Sequence, residues 1–361
     1  MIKFENLKMV HLEISNNCQA SCPMCARNVC GGQSNPLIKV NNWTTDDFKR
    51  IITQEVIDQV ENVYFCGNFG DPILNNDLID MCEYFTKSNG KQITIHTNGG
   101  VRHDFWWRNL AKVLPKNHRI IFAIDGLEDT NHIYRIGVNY KNVIRNARAF
   151  INAGGNAEWA FIRFKHNEHQ ELEAKELAKE YGFNKFTVKH SSRFVIEPRH
   201  PVTDKDGNLL YYIEPPTTNT LSFIDKDTID NIDNFVNQST VDCFVQKTQE
   251  VYIDCYKNLY PCCWVGAWPY SYIKPNEYTT EIRHRFVNEV NAIIENFGGV
   301  EQLNVLTRPI KDIIDSTEYQ TLWSDAWEAK KLLVCSRICG HLENSFSKPT
   351  EQFIEITKLH D

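Results

Sequence analysis

Three cysteines near the start of the chain have the spacing of a metal-binding loop. Cys18, Cys22 and Cys25 follow one another at offsets of four and three, directly after the strand-like run 9–14. Thiolates are the protein ligands of iron–sulfur clusters, and three of them can hold three corners of a four-iron cube. The remaining iron is then open to a small molecule. A zinc site is the alternative, although zinc sites usually pair their cysteines as two C-x-x-C clips.

The remaining cysteines are distributed unevenly, which indicates a second site. Six of the twelve lie in the last third of the chain, and no cysteine occurs between positions 82 and 243. We interpret Cys30, Cys66 and Cys82 as small core residues. Cys66 ends a predicted strand that faces the pocket, so it is also a candidate substrate contact or hydrogen donor.

Composition narrows the class of protein. The chain has 361 residues, 42% of them apolar and 24% charged, as in ordinary globular proteins of two or three domains. The formal charge is -7 with no long basic run, so we expect no nucleic-acid partner. No segment has the length and apolarity of a signal peptide or a membrane span. Twelve cysteines without a secretory signal favour a reducing compartment, the cytoplasm.

Strand-like and helix-like runs alternate along the first half of the chain. The predicted strands are 10–14, 63–66, 93–96, 119–124, 158–164 and 186–189. The predicted helices between them are 45–56, 77–88, 104–113, 141–153 and 171–181. Such alternation indicates βαβ units and a parallel sheet, so we expect an α/β fold with a partial (β/α)6 barrel of the TIM type. Active sites in barrels of this kind gather at the carboxyl ends of the strands.

The C-x-x-x-C-x-x-C loop after the first strand resembles the signature of the radical S-adenosylmethionine (radical SAM) superfamily. The resemblance implies that Cys18, Cys22 and Cys25 bind a 4Fe–4S cluster whose fourth iron is chelated by SAM. It further implies reductive cleavage of SAM to methionine and a 5′-deoxyadenosyl radical. That radical removes a hydrogen atom from a substrate carbon.

The same resemblance implies SAM contacts in the loops that follow the strands. Phe69-Gly70-Asp71 stands where the family has a Gly-Gly-Glu motif that binds the methionine amine, so the carboxylate here is shorter. Arg135 matches the arginine that binds the SAM carboxylate, whereas Ala123 replaces a serine that contacts the ribose. Met24 stands where an aromatic residue often lies against adenine. The implied SAM-binding residues are Met24, Gly70, Asp71, Asn98, Asp125 and Arg135.

The second half of the chain resembles the auxiliary-cluster domains called SPASM and Twitch. In those domains a cysteine, a hairpin with a glycine turn and a Pro-Cys pair follow the barrel. Cys243 here precedes predicted strands 250–253 and 259–260, with Asn258 in the glycine position and Pro261-Cys262 afterwards. The C-x-x-C-x-x-x-x-x-C run of a full SPASM domain is absent, so we expect one auxiliary 4Fe–4S cluster.

Four cysteines would suffice to hold that auxiliary cluster: Cys243, Cys262, Cys335 and Cys339. Cys255 and Cys263 are alternates that could replace Cys262. Tetrahedral sulfur ligation also suits zinc, so a zinc-binding structural or regulatory protein is the second hypothesis. Between the cysteines, segments 281–297 and 310–329 are predicted helices, whose Trp323 and Trp327 we assign to the core.

The predicted organisation has three segments. Residues 1–190 form the radical SAM barrel, 191–240 a connecting excursion whose best strand is 209–213, and 241–361 the auxiliary-cluster domain with a C-terminal tail. Relatives with SPASM or Twitch domains act on peptides, proteins and some small carbohydrates or nucleosides. We therefore expect a peptide or protein substrate, with a small carbohydrate or nucleoside as the alternative. An external electron donor such as flavodoxin or ferredoxin is also implied.

Overall fold

The computed structural model describes residues 1–191, 194, 199–217, 231–273, 280–328, 332–341 and 353–360. Its central element is a sheet of nine described strands: β1 Met9–Leu12, β2 Asn62–Phe65, β3 Ile93–Thr97, β4 Arg119–Ala123, β5 Ala157–Arg163, β6 Lys185–His190, β7 Glu250–Ile253, β8 Leu259–Tyr260 and β9 Phe353–Lys358. They lie in the order β8-β7-β1-β2-β3-β4-β5-β6-β9.

Strands β1 to β6 are the six predicted strands, and they pair in parallel in chain order. The predicted α/β class with a large parallel sheet is therefore confirmed. Strand β7 extends the sheet by pairing parallel to β1, with Met9 opposite Glu250. Strands β8 and β9 pair antiparallel to β7 and β6 at the two ends.

Within the described ranges, three two-stranded ladders lie outside the main sheet. They pair Asn28–Val29 with Gln33–Ser34, His200–Thr203 with Leu209–Ile213, and Thr240–Val241 with Gly340–His341. The described helices are Thr45–Ile51, Gln54–Gln59, Leu78–Lys87, Asp104–Val113, Asn131–Tyr134, Tyr140–Asn152, Glu171–Glu180, Ile232–Gln238, Phe244–Thr248, Cys263–Ala267, Thr280–Asn296, Ile310–Ile314, Thr317–Glu328 and Leu333–Ile338. Short 3-10 segments are Phe4–Asn6, Pro72–Leu74, Glu168–Gln170, Trp268–Tyr270 and Val300–Leu303.

Two predicted helices are interrupted in the structure. The predicted helix 45–56 is two helices, because the backbone leaves the helical region at Ile52 (φ −95°, ψ 70°) and Thr53 starts the second one. The first helix is capped by Thr44, whose hydroxyl accepts a hydrogen bond from the Asp47 amide in a capping box. The predicted helix 310–329 also divides, at Asp315–Ser316, and Ala329 lies outside the described residues.

Helices pack against the apolar face of the parallel sheet. Strand side chains alternate between the two faces, and Val10, Phe65 and Phe122 on this face are fully buried. Trp107, on helix Asp104–Val113, packs its ring 5.3 Å from that of Phe122. Trp323 is also buried, as predicted, whereas the side chain of Trp327 lies outside the described residues. This layer holds the strands in place and so fixes their carboxyl ends.

The second half of the chain returns to the sheet through the β7–β8 hairpin. Asp254, which is 1% exposed, accepts hydrogen bonds from the Asn258 amide (2.8 Å) and the Tyr270 hydroxyl (2.9 Å). The left-handed residue of the turn is Lys257 (φ 71°) and not Asn258, which corrects the expected role of Asn258 in the glycine position. No helix in the described ranges is long and apolar enough to cross a membrane.

Candidate cluster and cofactor site

The predicted cysteine loop lies at the carboxyl end of β1. Cys18, Cys22 and Cys25 form no disulfide, and neither do the other nine cysteines, all of which lie in the described ranges. A tight turn, in which the Cys25 amide donates to the Cys22 carbonyl at 3.0 Å, brings two of them to neighbouring positions. The loop is fixed to the chain after β4 by the Ser21 amide, which donates to the Ile136 carbonyl at 2.9 Å.

The three sulfur atoms lie within electrostatic reach of one another. Burial raises the pKa of Cys18, and the negative charges of Asp71, Cys22 and Cys25 raise it further. Burial also raises the pKa of Cys22 to about 11, although the Arg135 guanidinium opposes this effect. A cationic metal centre would reverse this penalty by binding the thiolates, which are the ligand form of cysteine.

Asp71 serves as a bracket between two loops. It is 4% exposed, and one carboxylate oxygen accepts from the Thr97 hydroxyl (2.7 Å) and the Ile73 amide (3.2 Å). The other oxygen accepts from both the backbone (2.8 Å) and the side-chain amide (2.6 Å) of Asn98. Both oxygens are therefore already engaged within the protein. This geometry assigns the Asp71 side chain to positioning the loop after β3.

Asn98 extends this bracket to the cysteine loop. Its side-chain nitrogen also lies 3.6 Å from the Cys18 sulfur, and its side-chain oxygen accepts from the side-chain amide of Gln19 at 2.6 Å. The segment Thr97-Asn98-Gly99, at the carboxyl end of β3, thus holds Cys18 and Gln19 through the Asn98 side chain. A donor directed at a thiolate sulfur also stabilises its negative charge.

Asp125 and Arg135 form a buried ion pair beside Cys22. The Arg135 Nε donates to the Asp125 carboxylate at 2.6 Å, and its terminal nitrogen lies 3.8 Å from the Cys22 sulfur. Asp125 is fully buried and also accepts from the Ile162 amide at 2.6 Å. The guanidinium therefore has one edge fixed by Asp125 and its cationic end directed at the cysteine loop, where an anionic group can bind.

Glu13, directly after β1, binds the backbone of the loop that follows β2. Its Oε1 atom accepts from the amides of Phe69 (2.7 Å) and Gly70 (3.0 Å). Burial raises the pKa of the Glu13 carboxyl to about 7. Gly70 is packed so closely that a Cβ there would lie 1.9 Å from the Ser15 carbonyl oxygen. The loop after β2 therefore requires glycine at position 70, because any side chain there would collide with the Ser15 backbone.

Met24 and the 200–213 ladder cover the cysteine loop. Met24 is buried, and its sulfur lies 3.8 Å from the Ser191 hydroxyl. The His200 side chain lies 2.9 Å from the Pro23 carbonyl oxygen, between two of the cysteines. Thr203 donates its amide to the Cys30 carbonyl at 2.9 Å. The excursion after β6, whose role the sequence left open, thus packs against the loop.

The face of the parallel sheet opposite the helices is polar. His11 and Tyr64 occupy paired positions on β1 and β2, with ring centroids 4.8 Å apart. The Tyr64 hydroxyl lies 3.1 Å from His96 Nδ1 on β3. Burial, with the nearby Lys189 and Arg135 charges, lowers the pKa of His96 well below its usual range. This row of polar side chains was not predicted from the sequence, although period-2 alternation of polar residues along apolar strands could have indicated it.

The four cysteines assigned to an auxiliary site surround one cavity. Its lining includes Cys243, Cys262, Cys335 and Cys339, together with apolar side chains such as Val265. Cys335 and Cys339 lie one turn apart, with the Cys339 amide donating to the Cys335 carbonyl at 2.9 Å. The Asp242 amide donates to the Cys339 carbonyl at 2.8 Å, which brings Cys243 beside this turn.

The alternates to Cys262 face elsewhere. Cys263 and Cys255 are not among the residues that line this cavity. Burial, with the negative charges of Glu250 and Cys66, raises the pKa of Cys263. A hydrogen bond from Cys339 lowers the pKa of Cys243, which favours a thiolate at the cavity. Among the described residues, no group of three His, Cys, Asp or Glu side chains is arranged as a ready-made site for a single ion.

The fold and the cysteine loop agree with comparisons to known proteins. The sequence matches the family described as the Radical SAM superfamily over residues 12–192. The chain therefore belongs to the radical SAM superfamily. No curated protein matches the sequence significantly.

Solved structures have a similar fold. SuiB of Streptococcus suis bound to its precursor peptide SuiA aligns with 16% identity and a TM-score of 0.54, covering 88% of this chain and 67% of that chain. Histidine-tagged anSMEcpe with bound AdoMet aligns with 13% identity and a TM-score of 0.51, covering 94% of this chain and 88% of that chain. At these identities the similarity shows the fold alone.

Membership of the superfamily implies SAM and a 4Fe–4S cluster, and the residues present fit both groups. Three unbridged thiols on one loop supply the donor set for a cluster with an open iron. The narrow turn at Gly70 and the cationic end of Arg135 border that loop. Backbone groups and a guanidinium are suitable partners for the amine and carboxylate of an amino acid.

Proposed function

We propose that this chain is a radical SAM oxidoreductase of the SPASM/Twitch type that modifies a peptide or protein side chain. The observation that carries the proposal is the loop of Cys18, Cys22 and Cys25, unbridged and bordered by Asn98 and Arg135. When bound, the cluster and SAM supply reductive sulfonium cleavage and a 5′-deoxyadenosyl radical that abstracts a hydrogen atom.

The residues around the loop orient SAM and exclude water. Gly70 offers its backbone to the methionine amine, and Arg135 pairs with the methionine carboxylate. Asp125 acts on Arg135 by fixing its Nε edge at 2.6 Å. Asp71 positions Asn98 and so acts one step away from SAM, through the hydrogen bonds that occupy its carboxylate. Met24, buried in the loop, packs against the adenine.

The substrate binds on the polar face of the parallel sheet. His11, Tyr64, His96 and Lys189 project there from four strands, close to the cysteine loop. A few polar side chains placed together supply orientation and specificity for a polar substrate. The solved SuiB complex carries a precursor peptide, which supports a peptide over a small carbohydrate or nucleoside.

An auxiliary 4Fe–4S cluster is held by Cys243, Cys262, Cys335 and Cys339. Their common cavity supports this assignment over one that uses Cys255 or Cys263. When bound there, such a cluster would supply an acceptor for the electron that an oxidised substrate loses. The proposal includes a partial barrel over residues 1–190, the excursion 191–240 and an auxiliary domain over 241–361. It also includes a cytoplasmic location and an external electron donor such as flavodoxin or ferredoxin.

The test is anaerobic reconstitution with iron and sulfide, followed by SAM and dithionite. We expect 5′-deoxyadenosine from the unmodified protein and none from Cys22→Ala. Cys82→Ala is the matched control, because Cys82 is buried in helix Leu78–Lys87 and burial is the one cause that raises the pKa of its thiol. Absence of 5′-deoxyadenosine, or a colourless zinc-loaded protein after oxygen-free purification, would contradict the proposal.

The substrate class needs a separate measurement. A small precursor peptide encoded beside the gene would be incubated with the reconstituted protein, SAM and dithionite. We expect a mass change in the peptide that accompanies one equivalent of 5′-deoxyadenosine per modification. A carbohydrate or nucleoside that is turned over while every peptide is left unchanged would refute the peptide assignment.

A further inference from the structure

One residue of the loop after β2 contacts a cysteine of the first site and the residue that follows a cysteine of the second site. The Asn68 side-chain amide donates a hydrogen bond to the Cys263 carbonyl at 2.8 Å. The Asn68 carbonyl oxygen lies 3.7 Å from the Cys25 sulfur. Cys263 directly follows Cys262, which lines the cavity of the second site. Asn68 is therefore a direct structural link between the loop of the first site and the backbone of the second.

A second contact fixes the same loop to the second half of the chain. Glu13, which binds the Phe69 and Gly70 amides through Oε1, accepts the Tyr252 hydroxyl through Oε2 at 2.5 Å. Tyr252 belongs to β7, and a Cβ on Gly266 would lie 2.6 Å from its ring. Tyr252 thus packs against the helix Cys263–Ala267, which starts immediately after Cys262.

The loop has little freedom to absorb a displacement. A Cβ on Gly70 would lie 1.9 Å from the Ser15 carbonyl oxygen, and one on Gly67 would lie 2.5 Å from the Gly70 carbonyl oxygen. Close-packed segments shift as units and do not deform gradually. Movement of the Cys262–Cys263 backbone is therefore passed to residues 67–70 and not dissipated.

We propose that Asn68 is a positioning residue that couples occupancy of the second cysteine site to SAM binding at the first. The inference rests on the proposed function, which assigns the methionine amine to the 67–70 loop. Metal binding at the second site fixes the Cys262 backbone and with it the Cys263 carbonyl. The hydrogen bond from Asn68 then holds the loop in its SAM-binding shape. By linkage, SAM binding favours occupancy of the second site to the same extent.

The experiment is a double-mutant cycle on SAM affinity, measured by equilibrium dialysis on anaerobically reconstituted full-length protein. The four proteins are unmodified, Cys335→Ala, Asn68→Asp and the double variant. Asn68→Asp keeps the size of the side chain and replaces the donor by a carboxylate that repels the Cys263 carbonyl. We expect each single variant to bind SAM about tenfold more weakly, and the double variant to be no weaker than either.

Asn117→Asp is the matched control, because the Asn117 side chain also donates to a backbone carbonyl, that of Lys91, at 2.6 Å. This exposed turn is part of neither cysteine site, so we expect unchanged SAM affinity. Cys339→Ala replaces Cys335→Ala if the latter fails to fold. Hydrogen exchange of residues 66–71 is a second readout, and we expect iron loading of the second site to protect these amides in the unmodified protein only.

Two results would overturn the coupling. One is an equal loss of SAM affinity from Cys335→Ala with and without Asn68→Asp. The other is unchanged SAM affinity in Cys335→Ala, with iron analysis confirming an empty second site. Failure of the proposed function gives a different result, because the unmodified protein with its first site reconstituted would then bind no SAM at all.

Discussion

Replacing Asp71 tests whether this carboxylate positions the SAM-binding loops from within the protein. Its two oxygens accept four hydrogen bonds, three of them between 2.6 and 2.8 Å from Thr97 and Asn98. The side chain is 4% exposed, so water has little access to the donors that it satisfies. Asp71→Ala leaves these donors without their acceptor.

The expected loss of stability follows from the contacts. A buried donor that loses its acceptor costs about 1–3 kcal/mol. With three short bonds lost and some relaxation, we expect Asp71→Ala to lower the free energy of unfolding by about 4 kcal/mol. Asp71→Asn keeps one acceptor oxygen, but its new NH2 group faces the Asn98 nitrogens, which are themselves donors. We therefore expect this variant to lower the free energy of unfolding by about 2 kcal/mol.

The assay is anaerobic urea unfolding of the metal-free protein at pH 7, followed by circular dichroism. Asp206→Ala is the control, because Asp206 is exposed in the turn of the 200–213 ladder and should change stability by less than about 0.5 kcal/mol. A metal-free Asp71→Ala protein that is as stable as this control, yet unable to bind SAM after reconstitution, would refute the positioning role of the Asp71 carboxylate. That result would instead support direct contact between Asp71 and the methionine amine.

Three further predictions concern other parts of the site and core. Burial raises the pKa of Glu13 from 4.5 to about 7, so the folded state binds this proton more tightly than the unfolded state does. As the pH rises from 4.5 to 7, the free energy of unfolding should therefore fall by about 3 kcal/mol. Urea unfolding of Glu13→Gln across the same pH range should lack this decrease. Cys25→Ala should lose about four irons per chain on reconstitution, and unchanged iron content would exclude it as a ligand. Trp323→Ala should cost about 3–5 kcal/mol in unfolding experiments, since this side chain is 1% exposed, and a loss under 1 kcal/mol would contradict its place in the core.

Local sequence pattern was a good guide to the parallel sheet. Strands β1 to β6 occur where apolar β-type runs were found, because each run must bury one face against helices. The breaks at Ile52 and at Asp315–Ser316 were not predicted. Helical periodicity continued across them, while the backbone dihedral angles at such positions depend on what the flanking helices pack against.

The candidate site was predicted less completely than the sheet. The sequence predicted that Asp71 and Asn98 contact SAM, but it could not show that these two residues hydrogen-bond to each other. It suggested three choices for one auxiliary cysteine, and only the folded chain separates Cys262 at the cavity from Cys255 and Cys263. The roles of Glu13 and Asn68 depend on hydrogen bonds to Tyr252 and Cys263, which lie about 240 and 195 positions away in the chain.

Sequence alone determined that three thiols lie on one short loop, because the spacing of Cys18, Cys22 and Cys25 is a local property of the chain. It also determined the order of strands and helices, since the periodicity of apolar residues within each short segment indicates a strand or a helix. Tertiary structure decided which buried polar groups satisfy one another. Those partnerships join segments far apart in the chain, and a buried carboxylate such as Asp71 or Glu13 binds whichever donors the fold brings to it.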